Sequence, residues 1–336
     1  MRRFYLIIIA LIISCAIYAQ DIHFVDQEVS KTLLNPSFAG KNEKDFMGGI
    51  IYRDQWTELG KLYKTYSFAG ELLIPSQTRT AGSLGLGLWI DRDNAGFVRL
   101  GTNQLGFSIA YHARLNDENI FSGGIYAGIL NQHLTEDNMK WDSQYNGYYY
   151  DQNLSSNENI SHYSYTKPDV GTGISYSFDN RRTKSEGIKI QLGYAMYHLN
   201  KPEMSYTSNS SDKLNIRSVA HLSSIVDIPK SIVSINPVIL YMQQGQSTQL
   251  RMSLRGIFDI TKSSMKGGNI QKIWAGFHYR NKDAVIAEVG IKSYNVGVSF
   301  SYDWTISSLK GKGIGAFEIA LNYTTQIFKV SSNRLL

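Results

Sequence analysis

The chain has 336 residues, with 34 Lys and Arg against 28 Asp and Glu for a formal charge of +6, a single cysteine, 22 Tyr and 29 Gly. So small a basic excess does not make a nucleic-acid surface, and one thiol excludes a disulfide framework or a multi-cysteine metal site. Abundant tyrosine and glycine with a slightly negative mean hydropathy fit a chain in which lipid-facing and water-facing residues alternate.

Met1-Arg2-Arg3, an apolar run from Phe4 to Ile13 and small residues towards Ala19 have the layout of a secretory signal peptide spanning residues 1–19. Cys15 follows Ile12-Ile13-Ser14, which also reads as a lipoprotein processing box. An acylated Cys15 therefore stays open beside ordinary cleavage after Ala19, the reading taken because a second cleavage site follows. No later stretch approaches the roughly 20 apolar residues of a membrane helix. An exported chain of this kind is either soluble or a β-barrel.

Residues 20–45 read as an N-terminal lead-in or plug segment, 46–330 as a barrel and 331–336 as a tail. From Phe46 onward about fourteen strand-like segments of roughly ten residues are predicted, the length a tilted strand needs to cross a bilayer. They begin near Phe46, Tyr63, Ala81, Arg99, Asn119, Pro168, Gly187, Lys213, Ser231, Gln246, Lys272, Ala284, Asn295 and Ile314. Their period is two residues: Val296, Val298, Phe300, Tyr302 and Trp304 oppose Asn295, Gly297, Ser299, Ser301 and Asp303. A soluble sandwich also alternates, but apolar faces that run the full strand and finish in aromatics favour an all-β, antiparallel outer-membrane barrel.

That pattern turns Arg217, His221, Arg251, Arg255, His278, Arg280, Glu288, Lys292, Asp303 and Glu318 inward. Such groups either line a pore or neutralise one another across a plugged lumen, and their mixed sign favours a structural network. Short connections are expected after the second, fourth, sixth, eighth and twelfth strands, with a long one from about Gln132 to Lys167 after the fifth. Short turns place that end in the periplasm and the long loop outside. The long loop carries Tyr145, Tyr148, Tyr149 and Tyr150, more tyrosine than a merely solvated loop needs. It is a candidate external binding loop, or a lid folded into the lumen.

Catalytic constellations are weak. The seven histidines are scattered and none forms the His-Glu-x-x-His spacing of a zinc site. Gly82-Ser83-Leu84-Gly85-Leu86-Gly87 has the wrong spacing for a nucleotide loop; its glycines read as strand positions that remove bulk from the inner face. Asp91-Arg92-Asp93-Asn94-Ala95-Gly96 lacks the late glutamate of a calcium loop and reads as a tight external turn. No enzyme activity and no cofactor are expected.

Thr32-Leu33-Leu34-Asn35-Pro36-Ser37-Phe38-Ala39-Gly40 resembles the Leu-Asn-Pro-Ala-Phe-Ala-Gly signature of PorP/SprF outer-membrane proteins of the type IX secretion system. Tyr52-Arg53-Asp54-Gln55-Trp56, Ala110-Tyr111-His112, His198-Leu199-Asn200-Lys201-Pro202, Trp274 to Arg280, Ser301-Tyr302-Asp303 and Leu321-Asn322-Tyr323 follow in the family's order. Ser37 stands where alanine is common, and Leu336 ends the chain where many barrels end in an aromatic residue. The resemblance implies a barrel in outer-membrane lipid that supports export or display of particular cargo, such as gliding adhesins, by holding the cargo's C-terminal domain. Its implied partners are that domain and other type IX secretion components, with no nucleic acid.

Leu34, Asn35, Pro36, Phe38, Gly40, Arg53 and Trp56 are then either a structured lead-in under the barrel or a partner contact. Asp303 is a candidate for the external mouth. A general outer-membrane channel or hydrophobic-solute transporter remains the alternative function.

Overall fold

Alternating apolar and small or polar residues leave each strand with one face for lipid and one for the interior, and a sheet of such strands loses its exposed edges by closing. The chain forms β1 (Phe46–Gln55), β2 (Tyr63–Ile74), β3 (Ser83–Ala95), β4 (Leu100–Arg114), β5 (Asn119–His133), β6 (Ser164–Asp179) and β7 (Ile188–Tyr197). It continues with β8 (Arg217–Asp227), β9 (Val233–Gln244), β10 (Ser247–Asp259), β11 (Ile270–Arg280), β12 (Ala284–Ser293), β13 (Val296–Thr305) and β14 (Gly315–Thr325). Every strand pairs antiparallel with its sequence neighbours, and β1 closes the barrel on β14 from Phe46↔Thr325 to Gln55↔Ala316. This computed structural model describes residues 22–29, 31–55, 63–76, 82–96, 100–134, 140–157, 163–181, 186–206, 212–262, 270–307 and 315–328.

Side chains alternate across the wall as the period requires. On β13, Val296, Val298, Phe300 and Trp304 face outward and are exposed, whereas Ser299, Ser301 and Asp303 are buried inside. Aromatics mark both rims of the apolar belt. Tyr66, Tyr194, Tyr241, Tyr279 and Trp304 lie towards one end, and Tyr111, Phe121, Tyr176, Tyr294 and Tyr323 towards the other. Tyrosine and tryptophan settle where hydrocarbon meets water, so the two rims bracket the membrane.

Three expectations need correction. β6 begins at Ser164, four residues ahead of Pro168, because it pairs with β5 as far as His133↔Ser164, whereas its first rung to β7 is Thr172↔Met196. Pro168 therefore lies on a stretch with no β7 rung, and its carbonyl, which faces that side, accepts from Asn200 Nδ2 at 2.7 Å; the missing N–H costs no ladder bond. β8 starts at Arg217, since Lys213 makes only an isolated bridge to Glu203. Asp91 to Ala95 belong to β3 and pair along β2 as far as Tyr63↔Ala95, so the turn begins only at Gly96.

Connections after β2 (75–82) and β6 (180–187) are longer than expected, while those after β9 and β11 are short. The two large loops, 134–163 and 198–216, nonetheless share one end of the barrel. Residues leading into β1 and out of β14 lie at the other, which is the periplasmic end by the usual distribution of loops.

Candidate functional site

The lumen is occupied by the chain's own N-terminal segment. Between Ile22 and Asp45 the chain passes inside the barrel, folding into α1 (Lys31–Leu34) and a single 3-10 turn at Pro36–Phe38. An irregular segment in an apolar surround must have its backbone groups satisfied, and inward-facing side chains of many strands do this.

Nearest the external end, the Glu318 carboxylate accepts from the Val25 amide at 3.0 Å and the Asp26 amide at 2.7 Å. Arg53 donates to the same carboxylate at 3.4 Å and to Asp303 at 2.9 Å; Arg280 donates to Asp303 at 3.0 Å. Arg251 donates to the Phe24 carbonyl at 2.6 Å. One layer deeper, Glu288 accepts from Arg255 at 2.9 Å, from Trp274 Nε1 at 2.8 Å and from His278 Nε2 at 2.9 Å. A carboxylate only accepts, so His278 carries its proton on Nε2, and its Nδ1 accepts from the Ser253 hydroxyl at 2.8 Å. Asp303 is 1% exposed beneath the segment, so it braces the external half of the lumen without being open to a ligand at the mouth.

The Leu-Asn-Pro-Ser-Phe-Ala-Gly stretch occupies the middle. Asn35 caps the 3-10 turn, its Oδ1 accepting from the Ser37 amide at 2.9 Å, and its Nδ2 donates to the Ile174 carbonyl of β6 at 3.0 Å. Pro36 provides the first position of that turn, where its lack of an N–H is harmless. Phe38 packs edge-on against His221 with ring centroids 5.2 Å apart. Leu33 and Leu34 are buried in the cluster with Trp89, Tyr126 and Tyr197. Arg217 lies 4.5 Å over the Tyr197 ring and donates to the Leu33 carbonyl at 3.0 Å.

Strand glycines make room for this motif. A Cβ on Gly85 would run into the Ala39 carbonyl oxygen, and one on Gly124 would lie 2.6 Å from the Ser37 amide nitrogen. Gly40 has φ +74°, a conformation that favours glycine, and its amide donates to Glu71 at 3.1 Å. Sequence reasoning missed Glu71, His112 and Tyr197, which hold the segment through Gly40, Ala39 and Thr32. A carboxylate on an inward position of β2 was the available signal for Glu71.

Towards the periplasm, Glu43 pairs with Lys272 and Lys292. Burial would push its carboxyl up, but the two ammonium groups outweigh that and hold it down at about 2. Glu28 pairs with Lys31 at 2.8 Å.

Above the opposite end, residues 140–157 form an ordered loop. Tyr145 bridges Tyr150, the Asn146 side chain accepts from the Tyr148 and Tyr149 amides at 3.0 Å each, and Tyr150 OH donates to Gln144 at 2.9 Å. That frame presents Tyr148 at 91%, Tyr149 at 63% and Tyr145 at 57% exposure, while Tyr150 is partly buried. Trp56 and residues 1–19, with Cys15, lie outside the described residues.

A closed fourteen-strand barrel with lipid-facing belts and a self-filled lumen defines an outer-membrane β-barrel protein. The chain belongs to the PorP/SprF family: the model for type IX secretion system membrane protein PorP/SprF matches residues 16–323. Among solved structures, a Pseudomonas aeruginosa FadL homologue is 11% identical over 86% of this chain and 92% of its own, with a TM-score of 0.48. The monoaromatic hydrocarbon channel CymD is 9% identical over 89% and 93%, with a TM-score of 0.46. Neither likeness bears on function at that level. Comparison with curated proteins finds no match.

Proposed function

We propose that this outer-membrane component of the type IX secretion system supports export or surface tethering of specific cargo, such as gliding adhesins, by holding the cargo's C-terminal domain at the external end of the barrel. The observation that carries the proposal is the loop 140–157. Its backbone is fixed by its own bridge and side-chain caps, yet it exposes three tyrosines to solvent. Rigid, exposed tyrosines bury large contact area on binding at little entropic cost, which suits a docking loop better than a spacer. Outer-membrane lipid surrounds the belt, cargo meets the loop, and other secretion components meet the periplasmic end.

The competing function, an open channel or hydrophobic-solute transporter, sits poorly with a lumen occupied by residues 22–45 that many side chains hold.

Affinity isolation from outer membrane tests the reading. The intact protein should retain a cargo C-terminal domain, and Tyr145→Ser, Tyr148→Ser and Tyr149→Ser together should lose it while keeping the heat-shifted migration of a folded barrel. Normal cargo display after deletion of the whole protein would overturn it.

A further inference from the structure

Asn146-Gly147 is the one Asn-Gly dipeptide of the chain, and it lies in the tyrosine loop, where both residues are exposed. The glycine nitrogen and the asparagine side-chain carbonyl can close a five-membered ring, a reaction in which both partners are already held together. The loop favours each part of it. Gly147 has no Cβ to hinder attack, its φ is +96°, and its N–H makes no hydrogen bond among the described residues. Asn146 Oδ1 accepts from the Tyr148 and Tyr149 amides at 3.0 Å each, so two donors are aimed at the oxygen that gains negative charge when Cγ is attacked. The side-chain nitrogen of Asn146 makes no hydrogen bond among the described residues and is free to leave.

The loop keeps this arrangement in place. Tyr145 bridges Tyr150, the Asn146 amide donates to the Tyr149 carbonyl at 3.2 Å, and Tyr145 OH donates to the Gly147 carbonyl at 3.0 Å. Asn116, in the turn between β4 and β5, offers a comparison within the same molecule. Its Oδ1 accepts from the Glu118 and Asn119 amides at 3.0 and 2.8 Å, a similar pair of donors. The nitrogen that follows it belongs to Asp117, whose side chain crowds the attack.

We propose that Asn146 is a self-modification site that ages the tyrosine loop. The Gly147 nitrogen gives its proton to water and bonds to Asn146 Cγ; the Cγ–Nδ2 bond breaks, Nδ2 leaves as ammonia, and a succinimide remains. Water then opens the ring at either carbonyl, so the net change is one water gained and one ammonia lost. The product is aspartate or isoaspartate, each with a new negative charge. Aspartate keeps an oxygen for the Tyr148 and Tyr149 amides. Isoaspartate lengthens the main chain by one carbon, which breaks the frame that holds Tyr145 against Tyr150. The chemistry rests on the loop alone, and its effect on cargo rests on the proposed function.

The test keeps the full barrel folded in detergent at neutral pH for several days, with an ammonia assay and peptide mass spectrometry at Asn146 and Asn116. Asn146 should gain about one dalton at least about tenfold faster than Asn116, with aspartate and isoaspartate forms separated by chromatography. The rate should climb between about pH 6 and pH 8.5, as the Gly147 nitrogen loses its proton more readily. Gly147→Ala should slow the gain towards the Asn116 rate. Because alanine is strained at that φ, the same chain unfolded by heat provides a second measure, and the folded loop should react at least as fast as it does. An Asn146 that stays intact in the folded barrel while the unfolded chain converts it would overturn the site, as would equal rates at Asn146 and Asn116. The mass readout contains no cargo, so its failure and that of the cargo isolation are told apart.

Discussion

Arg53 shows how one inward side chain links the wall to what fills it. Its guanidinium joins Asp303 on β13 and Glu318 on β14, and Glu318 in turn holds the Val25 and Asp26 amides. All three side chains are almost fully shielded from solvent. Arg53→Met leaves the buried Glu318 without its ion-pair partner, so it should cost about 3–5 kcal/mol, the usual penalty for breaking a buried pair by removing one partner. A lowered midpoint for the heat-shifted band and faster proteolysis of residues 22–30 in the folded barrel would report it. An unchanged midpoint would mean that the network is solvated. Gly85 acts by shape instead of charge. Gly85→Val puts a branched side chain where the Ala39 carbonyl sits, so this variant should release the 36–40 motif to protease while the barrel still closes. The inward placement of Asp303 and Glu318 was legible from a period of two residues, whereas Arg53 read only as a lead-in or partner contact. Their pairing with Arg53 was not legible, because Arg53 and Asp303 stand 250 positions apart and no local pattern encodes the meeting.

At the scale of elements, strand existence and order were readable because each stave must show lipid a continuous apolar face. Boundaries slipped where a local signal competed with that period. Pro168 looked like a strand start because it breaks ladders, but it lies where β6 has no β7 rung, and Asp91 looked like a turn residue because Asp, Asn and Gly cluster there, although its charge is hidden inside. The N-terminal segment was the hardest element to place. Its Asn-Pro and Phe-Ala-Gly read equally as a lead-in below the barrel, and its docking surface is assembled from glycines on β3, β5, β6 and β7. The glycine-rich inner face around Gly85 and Gly87 was the clue, since an inner wall without bulk invites a filler. The segment also has a pH-sensitive clasp. Glu43 is held well below the ordinary carboxylate range, so its clasp contributes stability that is present above about pH 4.5 and is lost as pH falls towards about 2. Its side chain is half exposed, so salt should weaken the effect. Protease sensitivity of residues 36–45 should rise on acidification below about pH 4.5, and Glu43→Gln should show that sensitivity already at neutral pH, with little further change. A flat acid response in the parent protein would remove the clasp from the account.

For the whole molecule, the central matter is whether the filler stays in place while the protein works. Contacts run the length of the segment, from Phe24 and Val25 through Thr32, Leu33 and Asn35 to Gly40, and they reach strands all round the barrel. Ejecting it would leave Glu318, Arg251, Arg217 and Glu71 without the backbone groups they now hold, each at a cost of the order of 1–3 kcal/mol before rehydration. A static plug is therefore the cheaper state, with cargo handled on the outer loop and partners met at the inner rim. Ser37 and Ser175 offer a direct check, because their hydroxyl oxygens are 2.8 Å apart and replacing both with cysteine brings two thiols within bonding reach. Under oxidation Ser37→Cys with Ser175→Cys should lock the motif to β6, leaving cargo display at the parent level. In planar bilayers the oxidised protein should pass no steady current, whereas a chain lacking residues 22–40 should conduct, since the lumen would then be lined by Arg217, Arg251, Arg255 and Glu71 with water between them. Loss of display on oxidation, restored by reduction, would show instead that the segment must leave its seat for cargo to be held.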